Sequence, residues 1–423
     1  MSEMDGRLRD LLEVAAGEPP HRVSVEAVRR RVVRRRALEW AAGAAAVTAI
    51  AVVVPLIPGA FGHPSGPPAM GGRAPTVYVA SFGRRGAGPG TVIPISTITN
   101  RPGTPIPVGR APRGIAITPD GKTAYVVNFY SNTVTPISIG TNRPGTPIPV
   151  GRWPWVIAIT PDGKTVYVVN RTSGTVTPIS TATNRPGTPI PVGRLPYAIA
   201  ITPDGKTAYV ANAGSNTVTP ISTATNTAGP PIPVGPGPVF IAITPDGKTA
   251  YVADWGRGIV NIRASDSVFV TPISTATNRP GKPIRVGHGP VAIAITPDGK
   301  TAYVANVDSG TVTPISTATN TPGKPIKAPG GPSAIAMTSD GKTLYVVEEI
   351  SNEVLPISIA TNRPGRPIRV GHLPKAIAIT PDGKTAYVAN VNSGTVTPIS
   401  TATNTAGKPI KAGGGPIDLA ITP

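Results

Sequence analysis

The chain has 423 residues, with 40 Lys and Arg against 21 Asp and Glu, four His and no Cys. Without cysteine, disulfides, thiol catalysis and cysteinyl metal sites are all excluded. The formal charge of +19 favours anionic partners or surfaces without choosing among nucleic acid, wall polymer and lipid.

The first 36 residues carry six acidic side chains and end in the arginine cluster Arg29, Arg30, Arg31, Arg34, Arg35 and Arg36. Leu8, Leu11, Leu12 and Ala15 fit one helical face, and Ser24 suits the cap of a second helix running into the arginines. Residues 37–60 form the one long apolar stretch, uncharged from Trp40 to Val54 and just long enough to cross a bilayer. Arginines on its N-terminal side predict a cytoplasmic N-terminus and an extracytoplasmic remainder. The expectation is an uncleaved signal anchor at the cell membrane. The alternatives are a cleaved leader, which would leave a secreted protein, and a twin-arginine signal. Residues 61–75, rich in Pro and Gly, read as a stiff spacer.

From residue 76 to 423 the chain repeats a segment close to I-A-I-T-P-D-G-K-T-A-Y-V-x-N. The turn Asp recurs at Asp120, Asp162, Asp204, Asp246, Asp298, Asp340 and Asp382, in steps of 42, 42, 42, 52, 42 and 42 residues. A fixed period near 40 with strand-turn-strand content marks a β-propeller. In residues 199–234, Ile199 to Thr202 suit an inner strand a and Pro203-Asp204-Gly205-Lys206 a turn. Thr207 to Val210 suit strand b, with Tyr209 between blades, and Thr217 to Ser222 suit strand c. Pro231 to Val234 make a short outer strand d. Pro220 and its sister prolines sit inside strand c, where they cannot donate to a ladder. They predict either a regular bulge or an N–H position turned away from strand b.

The first b-c-d set lacks a strand a, and the last strand a, ending Ile421-Thr422-Pro423, lacks the other three. Joining the ends gives an all-β, eight-bladed propeller of four-stranded antiparallel blades, with seven blades as the fallback. Residues 76–423 hold 30 Lys and Arg against 14 Asp and Glu, so most of the positive charge lies here. The repeat, through Tyr209-Val210-Ala211-Asn212 and its copies with the preceding P-D-G-K, resembles the YVTN-type, YncE-like propeller family. That resemblance implies a secreted or surface protein with a binding role. It departs from the family in strand c, where T-V-T-P-I-S stands, and at Asp254, Glu348 and Ser81 in the Asn position.

The internal copies divide the propeller into two faces. The a–b and c–d loops are nearly invariant, so turn chemistry explains their Asp residues. The d–a and b–c loops vary, and propellers bind ligands at the mouth those loops surround. Candidate ligand-binding residues there are Arg110, Arg113, Arg152, Trp153, Trp155, Arg194, Tyr197, Phe129, Arg171, Trp255, His288, His372 and Lys375. Arg110, Arg152 and Arg194 hold equivalent places in three consecutive blades, beside aromatic side chains suited to an anionic polymer or a sugar ring. The ten-residue insertion behind the step of 52 also falls on this side, between Trp255 and Val270. Glu348, Glu349 and Glu353 form the one acidic cluster, in one b–c loop; it reads as a solvated loop, with a Ca²⁺ or basic-partner contact as the alternative.

No G-x-S-x-G context, converging His and carboxylate ligands or phosphate loop is present, so no catalytic residue, metal or cofactor is expected. The expectation is a monomeric, membrane-anchored binding or scaffold module for an anionic polymer, carbohydrate or protein at the cell surface. Its rivals are a lactonase-like or quinoprotein-like propeller enzyme, a passive surface-layer repeat protein and a nucleic-acid binder, for which exposure to nucleic acid outside the membrane would be needed.

Overall fold

A computed structural model describes residues 74–82, 88–256 and 268–423. The expected basic segment, membrane span and most of the spacer lie outside the described residues, as does most of the insertion after Trp255. Among the described residues no helix is long and apolar enough to cross a membrane.

Eight antiparallel sheets follow one another in chain order, and each inner strand packs on the inner strands of its two neighbours until the eighth meets the first. We number the blades so that blade 1 is the one closed by both chain ends. Its inner strand, Pro416–Ile421, pairs with Thr76–Ser81, with Val79 opposite Leu419 and Val77 opposite Ile421. The join is reinforced where the Thr76 amide donates to Thr422 Oγ1 at 2.8 Å and the Thr422 amide donates to the Thr76 carbonyl at 3.0 Å. Blades 2 to 8 begin with the inner strands Pro112–Ile117, Pro154–Ile159, Pro196–Ile201, Pro238–Ile243, Pro290–Ile295, Pro332–Met337 and Pro374–Ile379. Eight blades form, not the fallback seven.

With so few aromatic residues, the core depends on the period-2 alternation of small and branched side chains. Ala376, Tyr387, Ala389 and Val396 on one face of blade 8 meet Leu419, Val77, Val79, Ile93 and Ile95 on the facing side of blade 1. The same small-against-large packing recurs between the other blades. The repeated tyrosine is fully buried, yet its hydroxyl has a fixed partner. Tyr125 donates to Asn184 Oδ1 at 2.7 Å, Tyr209 to Asn278 at 2.6 Å and Tyr387 to Asn100 at 2.8 Å. Each acceptor is the Asn of the next blade's T-A-T-N turn or its equivalent, held at positive φ (52° at Asn100, 54° at Asn278), a conformation Asn tolerates better than most residues. One residue thus makes the turn and locks the blades together.

The strand-c prolines resolve in favour of the turned-away position. Second and third strands pair without a bulge, as in Tyr209 opposite Pro220. Residue Pro220 faces outward: its carbonyl accepts the Gly229 amide at 2.7 Å, so the missing N–H lies on the same outward side. The outer strand is therefore split, in blade 4 into Thr227–Ala228 and Ile232–Pro233. The single outer strand expected at 231–234 is only its second half.

The P-D-G turns are self-contained. Thr118 Oγ1 donates to Asp120 Oδ1 at 2.6 Å, and the Lys122 amide donates to the same oxygen at 3.0 Å. Gly121 supplies the positive φ of 68°. The Thr118 hydroxyl, with backbone and Lys122 contributions outweighing partial burial, holds the Asp120 carboxyl below its ordinary value.

Candidate functional site at the channel mouth

Every inner strand opens with Pro and then a residue that the ladder skips. In blade 2 the register runs from Pro112–Asn128 directly to Gly114–Val127. The same shift occurs in the other seven blades. A bulge of this kind re-aims one side chain. The eight skipped residues are Arg113, Trp155, Tyr197, Val239, Val291, Ser333, Lys375 and Ile417, and together they ring the mouth.

Serine side chains fasten the loops that carry this ring. Ser131, Ser173 and Ser215 hydroxyls accept the backbone amides of Arg110, Arg152 and Arg194 at 2.8, 2.7 and 2.5 Å. Glycine is required beside them: a Cβ on Gly151 would lie 2.6 Å from the Asn170 amide carbon. The mouth is thus set on loops tied to the blades rather than on free ones.

Blades 1 to 4 bring a cation–aromatic stack to one half of the mouth. The Arg113 guanidinium carbon lies 4.2 Å from the Trp155 ring centroid, 4.5 Å from Phe129 and 6.0 Å from Phe82. Arg171 lies 4.8 Å from Trp155 and 5.3 Å from Tyr197. Trp155 and Tyr197 contact each other, and Phe129 packs on Trp153 and Trp155. Phe129, Trp155 and Tyr197 are buried, whereas Trp153 is 45% exposed.

Neither guanidinium is neutralised by a carboxylate among the described residues. Arg113 Nε and Nη1 and Arg171 Nε are buried with no hydrogen-bond partner. Burial is the main reason the Arg113 group is pulled down to about 10, with Tyr197 opposing and Arg171 adding to the effect. Aromatic faces hold two half-buried cations side by side at the mouth.

The opposite half is built differently. Lys375 Nζ lies 2.7 Å from Glu349 Oε2, and both side chains are buried. The solvated-loop reading of the acidic cluster is thereby corrected in favour of its alternative, a basic contact. Glu349 pairs with a mouth lysine, and Glu348 turns inward to accept the Gly330 amide at 3.0 Å. Asp418, by contrast, lies in blade 1 on the stack's side, next to the skipped Ile417; it is buried, and its two oxygens accept the Ile115 amide at 3.1 Å and the Leu419 amide at 2.9 Å. Burial nevertheless raises its carboxyl to about 7.

The remaining candidates do not join the stack. Arg110, Arg152 and Arg194 are exposed, as are His288 and His372. Trp255 is buried at the edge of the undescribed insertion. No group of metal-ligating side chains forms among the described residues. Reading the loops therefore found Arg113, Arg171, Phe129, Trp155, Tyr197 and Lys375, but it missed Phe82 as a partner and did not join Glu349 to Lys375. Phe82 stands at the same repeat position as Phe129, which is the signal that would have found it.

With this geometry in view, residues 92–230 and 240–409 match the family model described as Lactonase, 7-bladed beta-propeller. The chain belongs to this family. It carries eight blades where the lactonase model's description names seven. The Y-V-x-N resemblance thus holds at the level of a propeller-repeat family. No curated protein matches. Among solved structures, hydrazine synthase of Kuenenia stuttgartiensis is 27% identical with a TM-score of 0.57, over 69% of this chain and 96% of that one. Dihydro-heme d1 dehydrogenase NirN in complex with DHE is 16% identical with a TM-score of 0.68, over 82% and 74%. A candidate 6-phosphogluconolactonase from Bacteroides fragilis NCTC 9343 is 18% identical with a TM-score of 0.55, over 82% and 98%. The last two likenesses speak for the fold alone. Membership of the lactonase family weakens the expectation that the chain is no enzyme and moves weight to the enzymatic alternative.

Proposed function

We propose that this lactonase-family propeller takes a small carboxylate- or phosphate-bearing lactone at the Arg113–Arg171 half of its mouth and opens it by hydrolysis. One observation carries the reading: two half-buried guanidinium groups, Arg113 and Arg171, stand side by side on aromatic faces with no carboxylate paired to either among the described residues. An anionic substrate group supplies the missing counter-charge through the guanidinium nitrogens that are not enclosed, and charge-assisted bonds of this kind are among the strong ones. Trp153, exposed and packed beside Phe129, offers the flat surface for a ring. In the reaction water adds to the acyl carbon, the ring C–O bond breaks, and the departing oxygen takes a proton to give a hydroxy acid. The protein's part is to bind the anion and polarise the carbonyl oxygen.

A second reading, binding without turnover, has its own support. The carboxyls around the mouth are engaged: Asp418 by two backbone amides and Glu349 by Lys375. A general base needs reach to a water proton. In this reading the 37–60 span holds the propeller outside the membrane, and the anion belongs to a cell-surface component.

Both readings are tested by titrating a carboxylated γ-lactone and neutral γ-butyrolactone into the full chain, following tryptophan fluorescence and acid release in a pH-stat. Anion-selective binding with acid release is expected, and Arg113→Met should weaken binding at least tenfold while leaving the circular dichroism unchanged. Binding without acid release selects the second reading. Equal binding of the neutral lactone, or no effect of Arg113→Met, overturns the site.

A further inference from the structure

The outer rim of the propeller holds a second cationic feature, remote in sequence from the mouth stack and independent of it. Each blade's outer segment has the form T-N-x-x-G-X-P-I-Z, and the positions X and Z differ sharply between the two halves of the ring. In blades 1 to 4 they are Thr104 and Pro107, Thr146 and Pro149, Thr188 and Pro191, and Pro230 and Pro233. In blades 5 to 8 they are Lys282 and Arg285, Lys324 and Lys327, Arg366 and Arg369, and Lys408 and Lys411. All eight cations are exposed.

The structure makes them one surface. Arg285, Lys327, Arg369 and Lys411 occupy the second half of the split outer strand, each next to a buried Ile that anchors the edge. They stand opposite the first residue of the third strand: Phe269, Thr311, Glu353 and Thr395. Glu353 is the single acid among those four. The outer segments 275–288, 317–330, 359–372 and 401–414 contain no Asp or Glu. Blades 5 to 8 are consecutive in the ring, so the eight charges form a crescent along half of its circumference. The turn lysines of the invariant face differ in kind, because each lies beside its own Asp, as Lys206 Nζ does at 3.7 Å from Asp204 Oδ2.

We propose that the rim of blades 5 to 8 is a docking surface for a flexible linear polyanion that wraps the propeller's edge. Charge complementarity identifies the partner as anionic. Curvature decides its form, because a planar membrane touches a convex ring at one or two blades, whereas a pliable chain follows all four. The two cations per blade act chiefly by releasing counterions from the chain.

The internal copies supply a substitution set that the fold already accommodates: Lys282→Thr, Arg285→Pro, Lys324→Thr, Lys327→Pro, Arg366→Thr, Arg369→Pro, Lys408→Thr and Lys411→Pro together. As a control, the turn lysines Lys122, Lys164, Lys206, Lys248, Lys300, Lys342 and Lys384 are changed to Gln. Both variants keep the basic N-terminal segment, so their difference reads the propeller. The probe is long-chain inorganic polyphosphate, with the full chain titrated across a salt series. The rim variant should bind at least tenfold more weakly, with its log K against log salt slope reduced by about 3 to 6, and the control should bind more tightly than the rim variant. Equal losses in the two variants, or no loss in the rim variant, overturn the proposal. So does a loss confined to sedimentation with phosphatidylglycerol vesicles, which would make the surface a membrane contact.

Discussion

At the scale of single residues, the informative positions are those where one copy of the repeat breaks its own rule. Asn128 donates to Thr133 and Thr135 hydroxyls at 3.1 and 2.8 Å. At the matching place Asp254 instead accepts from Thr271 at 2.6 Å, and Phe269 stands where the first threonine was. Burial raises the Asp254 carboxyl to about 8, against the opposing bonds from Thr271 and Gly235, so it is neutral at lower pH, like the amide it replaces, although the bond to threonine runs the other way. A folded value above the unfolded one means stability that is present below about pH 4 and drains away as pH rises towards 8. Asp418 adds the same slope up to about 7. Asp254→Asn should therefore flatten the loss of stability with pH, most strongly between about pH 5 and 7, by roughly 1.4 kcal/mol per pH unit at most. Urea unfolding at a series of pH values checks this, and parallel curves for the two proteins would refute it. The sequence shows the exception at Asp254; only the fold shows that it is fully enclosed.

Between elements, the repeated Tyr–Asn bond does what a larger aromatic core does in other proteins. Tyr209→Phe keeps the buried ring and removes the bond to Asn278 together with the longer one to the Thr275 carbonyl at 3.4 Å, so it should lower stability by about 1 kcal/mol. A double-mutant cycle with Asn278→Ala assigns the coupling to the pair, and a coupling near zero would show that burial alone holds the blades. Strand positions were legible because Tyr, the P-D-G turn and the strand-c Pro recur at fixed spacing. The split outer strand was not, since it depends on which side of strand c the proline nitrogen faces. That side is set by register with strand b. The mouth stack was legible in part for a similar reason: Arg113 and Trp155 are 42 residues apart in sequence and become neighbours only because their blades are adjacent.

For the whole molecule, pairing Pro416–Ile421 with Thr76–Ser81 completes the eighth sheet, so every blade's second strand has an inner partner. Removing residues 416–423 exposes the edge of Thr76–Ser81 and takes away Ile417, Leu419 and Ile421, a loss of the order of 5 kcal/mol or more. The truncated chain should unfold at lower temperature and less cooperatively, and should associate through the open edge. Calorimetry and size-exclusion chromatography test this, and an unchanged monomeric melt would show that the ring does not need its last strand. The sequence by itself determined the all-β propeller, the count of eight and the division into a uniform and a varied face, because each rests on local periodicity and turn chemistry repeated along the chain. Tertiary structure alone decided which varied residues meet. Arg113 and Arg171 gather on aromatic faces without acceptors, and Lys375 finds Glu349, because ring closure sets adjacent blades at fixed spacing and a bulge turns one side chain from each inner strand to the mouth.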